Sequence, residues 1–324
     1  MFPVGQLPLI GFALRLLAHH GITDVIVNVH HLGKHLMQAI GDGAQYGVHL
    51  TYSEESEILG TGGGLKAMQN VLDDTFVVVN SDTILDVDLT DVVARHKSAK
   101  ATATMCLRTD VAQAQYGQIA IDSNQHIRSI VGHTRPSDKA HGDGVRVSWT
   151  PYMFTGVHVL EPRILEYVPP AIEADIIRTG YFKALANEET LLGYVTDGYW
   201  ADAGTPRRYF DANCDVLSGR AAIRYAEVLP PERTNGVWVA QTADIASTAT
   251  LVAPVAIADR VRIGDKATVG PNVVVAPGAV IGDEVTISNA VVLGDVHVGA
   301  RATIANDIVG KKARVSIDTK VRGE

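Results

Sequence analysis

The chain is short of cysteine, of long apolar runs and of positive charge, and each shortage excludes something. Its 324 residues include two cysteines, Cys106 and Cys214. Both stand in apolar or helical context, so they read as buried thiols rather than a disulfide, in keeping with a reducing compartment. No apolar stretch approaches the roughly 20 residues of a membrane helix, and no signal-peptide pattern opens the chain. A soluble, cytoplasmic protein without a membrane partner is expected. Lysine and arginine number 28 against 36 acidic residues, a formal net charge of −8. That balance provides no general attraction to nucleic acid or to acidic membranes. Apolar residues, by contrast, are plentiful: a 46% hydrophobic content supports one large core or two modest ones.

The strongest internal signal is a repeat. Every sixth residue from Ile245 is aliphatic: Ile245, Leu251, Ile257, Ile263, Val269, Val275, Ile281, Ile287 and Leu293. Four places after each of the first eight stands a small or β-branched residue, Ala249, Val255, Val261, Ala267, Val273, Ala279, Val285 and Val291. Gly264, Gly270, Gly282 and Gly294 follow the aliphatic position directly. A period of six fits neither an α-helix nor a simple alternating strand, and a β-sandwich does not predict it. It suits a triangular coil with one hexapeptide per flat side, the small residues at tight corners and the glycines easing the turns. After Leu293 the register slips by one, to Val298 and Ile304. The segment resembles the left-handed parallel β-helix of hexapeptide-repeat proteins, which serves as an oligomerisation or acyltransfer platform. Acyltransfer is not indicated. The coil is uninterrupted, and its one histidine, His297, sits at a corner in an ordinary surface role.

Residues 1–220 alternate β-rich runs with amphipathic stretches, the pattern of an α/β domain with a largely parallel sheet. Strands are expected at 25–29, 48–53, 76–80, 101–107, 118–122, 154–160 and 191–196. Helices are expected near 8–19, 65–72, 92–97, 176–185 and 208–217. Ligands of such sheets gather at the carboxyl ends of strands. Two carboxylates stand at such ends: Asp82, closing Phe76-Val-Val-Val-Asn-Ser-Asp82, and Asp202, within Gly198-Tyr-Trp-Ala-Asp-Ala-Gly204-Thr-Pro206. Converging from distant parts of the chain, they would suit Mg²⁺ with phosphate as a further ligand. Taken singly, each reads as a helix cap or turn aspartate. Leu59-Gly60-Thr61-Gly62-Gly63-Gly64-Leu65-Lys66 is a glycine-rich turn leading into a helix, whose backbone N–H groups could approach a nucleotide. A second carboxylate pair, Asp86 and Asp88, has the spacing of a glycosyltransferase metal pair, but reads better as the cap of a helix near Thr90.

Taken together, the opening Met1–Ile10, the glycine turn, Asn80-Ser-Asp82, Tyr116-Gly117, Phe154-Thr-Gly-Val-His-Val159 and Trp200–Pro206 resemble sugar-1-phosphate nucleotidyltransferases in order and spacing. The similarity is greatest to the mannose-1-phosphate guanylyltransferase-like group, whose members often carry a C-terminal hexapeptide β-helix. The resemblance implies a Rossmann-like fold. It also implies attack of a sugar-1-phosphate oxygen on the α-phosphorus of a nucleoside triphosphate, with release of pyrophosphate. On that basis Asp82 and Asp202 hold Mg²⁺. Gly60, Thr61, Gly62, Gly63 and Gly64 lie against base and ribose. Tyr116, Gly117, Thr155 and Gly156 line the sugar pocket, with Trp200 as a wall; Arg135 stands near the place of the family's sugar-phosphate lysine and could substitute for it, but reads better as a solvated loop arginine.

The match has gaps. The family's opening G-x-G-x-R-L-x-P loop and Pro-Lys-Pro segment fall before Met1, and Ser81 replaces a usual glycine. Without the first strand and the cationic loop, impaired catalysis is expected. The expected organisation is a nucleotidyltransferase-like domain over 1–220, a linker over 221–240 and the β-helix over 241–324, which would join copies into a homo-oligomer. GDP-mannose is the expected product. The alternative is a non-catalytic nucleotide-sugar-binding paralogue that assembles with an active homologue.

Overall fold

The structure is a computed structural model that describes residues 2–109, 117–139 and 149–323. The chain divides into two compact units that interleave in sequence. Unit one comprises residues 1–13, 81–86 and 199–324; unit two comprises 14–80 and 87–198. Residues 221–240 carry the strands Glu232–Thr234 and Val237–Val239 and group with unit one.

Before the first helix, α1 (Leu9–His19), the chain forms a two-strand ribbon of β1 (Pro3–Val4) and β2 (Leu7–Pro8). In unit two, β3 (Asp24–Val29) and β4 (His49–Glu54) form a separate parallel pair. A second sheet contains β5 (Phe76–Val79), β7 (Ala103–Arg108), β8 (Gln118–Ile121), β9 (Ile127–Ile130), β10 (His133–Thr134), β11 (Thr150–Leu160) and β12 (Leu191–Val195). Its direction departs from the parallel sheet expected. β11 runs antiparallel to β5, β7 and β8, and only β7 and β12 pair parallel. The cause lies in the connections: β8, β9 and β10 follow one another as hairpins too short for crossovers. Ala103, Met105, Leu107, Ile127, Ile130, Tyr181 and Leu191 anchor the core of this unit.

Unit one contains β6 (Thr83–Leu85) paired antiparallel with β13 (Trp200–Asp202), the helix Pro206–Leu217, and a parallel β-solenoid from Val237 onward, to whose first strand Glu232–Thr234 adds antiparallel. Successive solenoid strands pair 18 residues apart, as with Val255 and Val273 or Arg262 and Val280. Each flat side therefore takes six residues. Each side points two residues inward: Val255 with Ile257, Val261 with Ile263, Ala267 with Val269, and so on. The small residues expected at corners thus line the core. Corners are formed instead by residues in the left-handed region, including Arg260, Lys266, Asn272, Glu284 and Asp295. Gly264 and Gly282 allow coils to approach, since a Cβ on Gly282 would lie 2.8 Å from the Ala300 nitrogen.

The register slip comes one flat side earlier than the periodicity suggests. Val273 pairs with Ala290, 17 residues on, and the shortened corner is closed by Asn272 Nδ2 donating to Asn289 Oδ1 at 2.9 Å. Inward positions therefore pass to Ala290 and Val292, while Val291 and Leu293 face outward. Asparagine suits this corner because it tolerates the left-handed conformation seen at both positions, φ 55° and 46°. His297 lies on a flat side, exposed in the strand His297–Val298, rather than at a corner.

One outward column is apolar. Ala256, Val274 and Val291 are buried with Tyr209, Ala212, Val216 and Leu217 of the helix and with Val4, Phe12 and Ile84. Burying such side chains contributes about 1.5–3 kcal/mol for each large aliphatic group. The solenoid wall, the helix and the β6–β13 ribbon consequently share one core. No helix among the described residues is long and apolar enough to cross a membrane. Cys106 is a buried free thiol and Cys214 a half-buried one.

Candidate active site

The two carboxylates meet on the β6–β13 ribbon. Asp202 pairs with Thr83, and the Ala203 N–H donates to the Asp82 carbonyl at 2.9 Å. This places Asp82 immediately before one strand and Asp202 at the end of its partner. Gly204 shows how close the side chains are. A Cβ built there would lie 2.9 Å from Asp202 Oδ1 and 3.6 Å from Asp82 Oδ2. Both carboxylates thus point into the space that a side chain at 204 would fill, and only glycine leaves it open. The donors are hard oxygens, as Mg²⁺ requires. Among the described residues no group of three or more His, Cys, Asp or Glu could hold a metal. Two carboxylates alone leave most of an octahedral shell to water and phosphate oxygens, so the residues present fit a cation that is shared with substrate.

Asp202 is held from two sides. Its Oδ1 accepts the Gly204 N–H at 2.7 Å, and its Oδ2 accepts Arg208 Nη1 at 2.7 Å. Arg208 sits in the first turn of the helix Pro206–Leu217, where Thr205 is the N-cap and accepts the Arg208 N–H. Strand alternation puts Trp200 on the same face of the ribbon as Asp202, and Trp200 is half-buried.

In unit two, the glycine segment is itself helical: α3 spans Gly60–Ala67, starting earlier than the hydrophobic spacing suggests. The Gly62 and Gly63 N–H groups donate to the Ala174 carbonyl at 2.8 and 3.2 Å, so these donors serve the protein's own backbone. Thr61 Oγ1 accepts the Ile176 N–H at 3.3 Å. Cβ atoms on Gly60, Gly62 and Gly63 would meet the backbone of residues 172–176. Gly64 instead faces side chains, with Glu55 Oε1 2.7 Å and Asn28 Nδ2 2.8 Å from its absent Cβ. The glycines thus seat the 172–176 segment, a partner that the sequence reading missed. Neither Asn28 nor Glu55 was singled out either; each lies at or just past the carboxyl end of a parallel strand, β3 or β4, which was the available signal.

Thr155 and Gly156 form a β-bulge in β11, whose pairing with β7 shifts between Phe154 and His158. The Thr155 hydroxyl donates to the Cys106 carbonyl at 2.9 Å, and Gly156, at φ +88°, lies against the Asn80 carboxamide. Gly117 has φ +79° and lies against Val131; Tyr116 lies outside the described residues. Arg135 has neither of its expected roles. It is 7% exposed, and its guanidinium donates to the carbonyls of Ile127 at 3.1 Å and Glu189 at 2.6 Å, beside the Glu188 carboxylate. A buried guanidinium engaged in this way ties β9 to the turn before β12 and is not a solvated loop group. The Asp86 and Asp88 carboxylates have separate structural tasks. Asp86 accepts Arg224 Nε at 2.9 Å, and Asp88 caps α4 (Leu89–Ser98) through the Asp91 N–H.

Comparison with known proteins finds similarity over both parts of the chain. Residues 1–219 match the nucleotidyl transferase family model, and residues 237–324 match the model of the GMPPB C-terminal domain. A UTP–glucose-1-phosphate uridylyltransferase of Synechocystis is 31% identical over 67% of this chain and 58% of its own length. A mannose-1-phosphate guanyltransferase of Schizosaccharomyces pombe is 27% identical over 71% of this chain and 61% of its own. The Mycobacterium tuberculosis mannose-1-phosphate guanylyltransferase is 27% identical over 68% and 59%. The chain thus spans about 60% of the length of these curated relatives. Among solved structures, a putative glucose-1-phosphate thymidylyltransferase from Bacillus anthracis superposes with a TM-score of 0.54 at 22% identity, covering 70% of this chain and 87% of that one. HddC from Yersinia pseudotuberculosis in complex with GMP-PN gives 0.54 at 19%, covering 67% and 88%. At these identities the two structures establish the fold.

Proposed function

Because this chain belongs to the nucleotidyl transferase family, we propose that its Asp82 and Asp202 hold a divalent cation, Mg²⁺, during nucleotidyl transfer to a sugar 1-phosphate. The observation that carries this reading is the convergence of both carboxylates on the open space over Gly204. In the reaction a sugar-phosphate oxygen forms a bond to the α-phosphorus of a nucleoside triphosphate, and the bond to the β-phosphate oxygen breaks, releasing pyrophosphate. Bound Mg²⁺ neutralises phosphate charge in this displacement. The part of Asp202 is to present an oxygen fixed by the Gly204 N–H, and that of Asp82 to present a second from the adjoining strand. We assign the base and ribose to the face of α3 around Gly64, and the sugar to the surroundings of Gly117 and Gly156.

GDP-mannose is the product we propose. The guanylyltransferase relatives and the C-terminal match over 237–324 support it. The uridylyltransferase relative makes UTP with glucose 1-phosphate the main competitor. The test is pyrophosphate release over a panel of nucleoside triphosphates and sugar 1-phosphates with Mg²⁺. GTP with mannose 1-phosphate should lead, and silence with every pair would remove the reading. Residues 1–324 alone should turn over slowly, because they contain no G-x-G-x-R-L-x-P or Pro-Lys-Pro motif and so lack that cationic contribution to phosphoryl transfer. A version extended upstream with such a loop should be faster. The second reading, a non-catalytic nucleotide-sugar-binding partner of an active homologue, predicts binding without turnover in the extended version too. The exposed sides of the solenoid are where we place contacts between copies; sedimentation as a monomer at tens of micromolar would count against this.

A further inference from the structure

We propose that Arg208 is the resident counter-ion of Asp202 and competes with the divalent cation for it, so that cation entry releases the guanidinium. This inference rests on the reading of Asp82 and Asp202 as cation ligands.

Three observations carry it. First, Arg208 Nη1 lies 2.7 Å from Asp202 Oδ2, while Oδ1 is engaged by the Gly204 N–H. A cation held at Oδ1, the oxygen that faces the space over Gly204, would share its carboxylate with a like charge on the other oxygen. Second, Arg208 breaks a local rule. Thr205 is the N-cap, which makes Arg208 the third residue of the helix. In the pattern Thr-x-x-Glu/Gln, that position completes a capping box, and the helix dipole there favours an acid over a base. An arginine gains nothing from the helix at this site and instead reaches back over its N-terminus to the ribbon. Departures of this kind concentrate where function is served. Third, the acid nearest to Arg208 along the helix, Asp211, pairs with Arg207 at 3.1 Å.

The side chains are partly open, with Arg208 38% and Asp202 19% exposed. Water therefore screens the repulsion without removing it. Cation affinity should be weaker than the two carboxylates alone would give, by about tenfold for a single screened charge at this range.

The test is titration of Mn²⁺ into the full chain, followed by electron paramagnetic resonance. Arg208→Gln should bind Mn²⁺ about tenfold tighter than the natural chain, and Arg208→Lys, which keeps a charge, should stay within about threefold. A residue serving only the fold could weaken binding but would not tighten it. Unchanged or weaker binding in folded Arg208→Gln overturns the proposal while leaving the carboxylate site standing. Mn²⁺ binding that survives in both Asp82→Asn and Asp202→Asn overturns the site and the proposal together. A second measurement uses the unaltered protein. Phenylglyoxal should modify Arg208, located by peptide mass, several-fold faster with saturating Mn²⁺, and an unchanged rate contradicts the exchange.

Discussion

Within unit one, the solenoid and the carboxylate ribbon are built on opposite principles. The solenoid repeats one instruction: two inward aliphatic residues per side, and a corner in the left-handed region, coil after coil. Any single side chain there is one of many. The ribbon is made once, from two three-residue strands more than a hundred positions apart, and its geometry depends on single residues: Gly204 for space, Thr205 for the helix start and Arg208 for charge. The two are joined by the outward column Ala256, Val274 and Val291, which shares a core with Ile84 and Ala203 beside the carboxylates. Redundant architecture thus supports a site that has no redundancy, and the solenoid serves as the backing of the site in addition to any part it has in assembly.

The largest effect should come from breaking the joint. Val274→Asp would bury an unpaired carboxylate at a position 2% exposed and should cost about 3–5 kcal/mol in urea unfolding. Val280→Asp, on a half-buried outward position of another side, should cost well under 1 kcal/mol. Equal losses would show that the joint is not special. Next in size, Asp82→Asn or Asp202→Asn should each lower pyrophosphate release at least about 100-fold, or about 2.7 kcal/mol. Arg262→Ala, an exposed charge on the solenoid, should leave the rate unchanged.

Unit two provides a contrast in pH dependence. His158 is buried, with Nδ1 2.8 Å from the Tyr181 hydroxyl, and burial pushes its pKa down to about 3. The unfolded chain binds this proton below about 6.5 while the folded chain does not. The contribution is therefore intact above pH 6.5 and lost as pH falls toward 3, by about 1.4 kcal/mol per pH unit. His96, also pushed down by burial, acts in the same direction. Urea midpoints at pH 7.5 and 5 should differ accordingly, and His158→Gln should narrow the difference. The smallest expected effect is Thr205→Ala, about 1 kcal/mol for a lost N-cap, with Mn²⁺ affinity shifted as well because the same turn carries Arg208.

The solenoid was legible because its signal repeats. Nine aliphatic positions outvote any local accident, although the shortened corner at Ser288-Asn289 was placed one flat side late, since Val291 and Leu293 are as apolar as true core residues. They are buried against the helix, and hydrophobicity alone does not say from which side. Asp82 and Asp202 were legible as strand-end carboxylates. Arg208 was not, because its meaning depends on a contact six residues back that no helical or strand period encodes. Arg135 misled for the related reason that an arginine in a loop gives no sequence sign of being buried. The glycines of α3 were legible as a close approach, but what approaches them in the structure is residues 172–176, which only the tertiary fold supplies.

The central claim is that two carboxylates from distant strands make one cation site. Mn²⁺ titration of the full chain tests it most directly. One ion should bind per chain, and either Asp82→Asn or Asp202→Asn, with the fold intact by circular dichroism, should abolish it. Wild-type affinity retained in either variant would contradict the account.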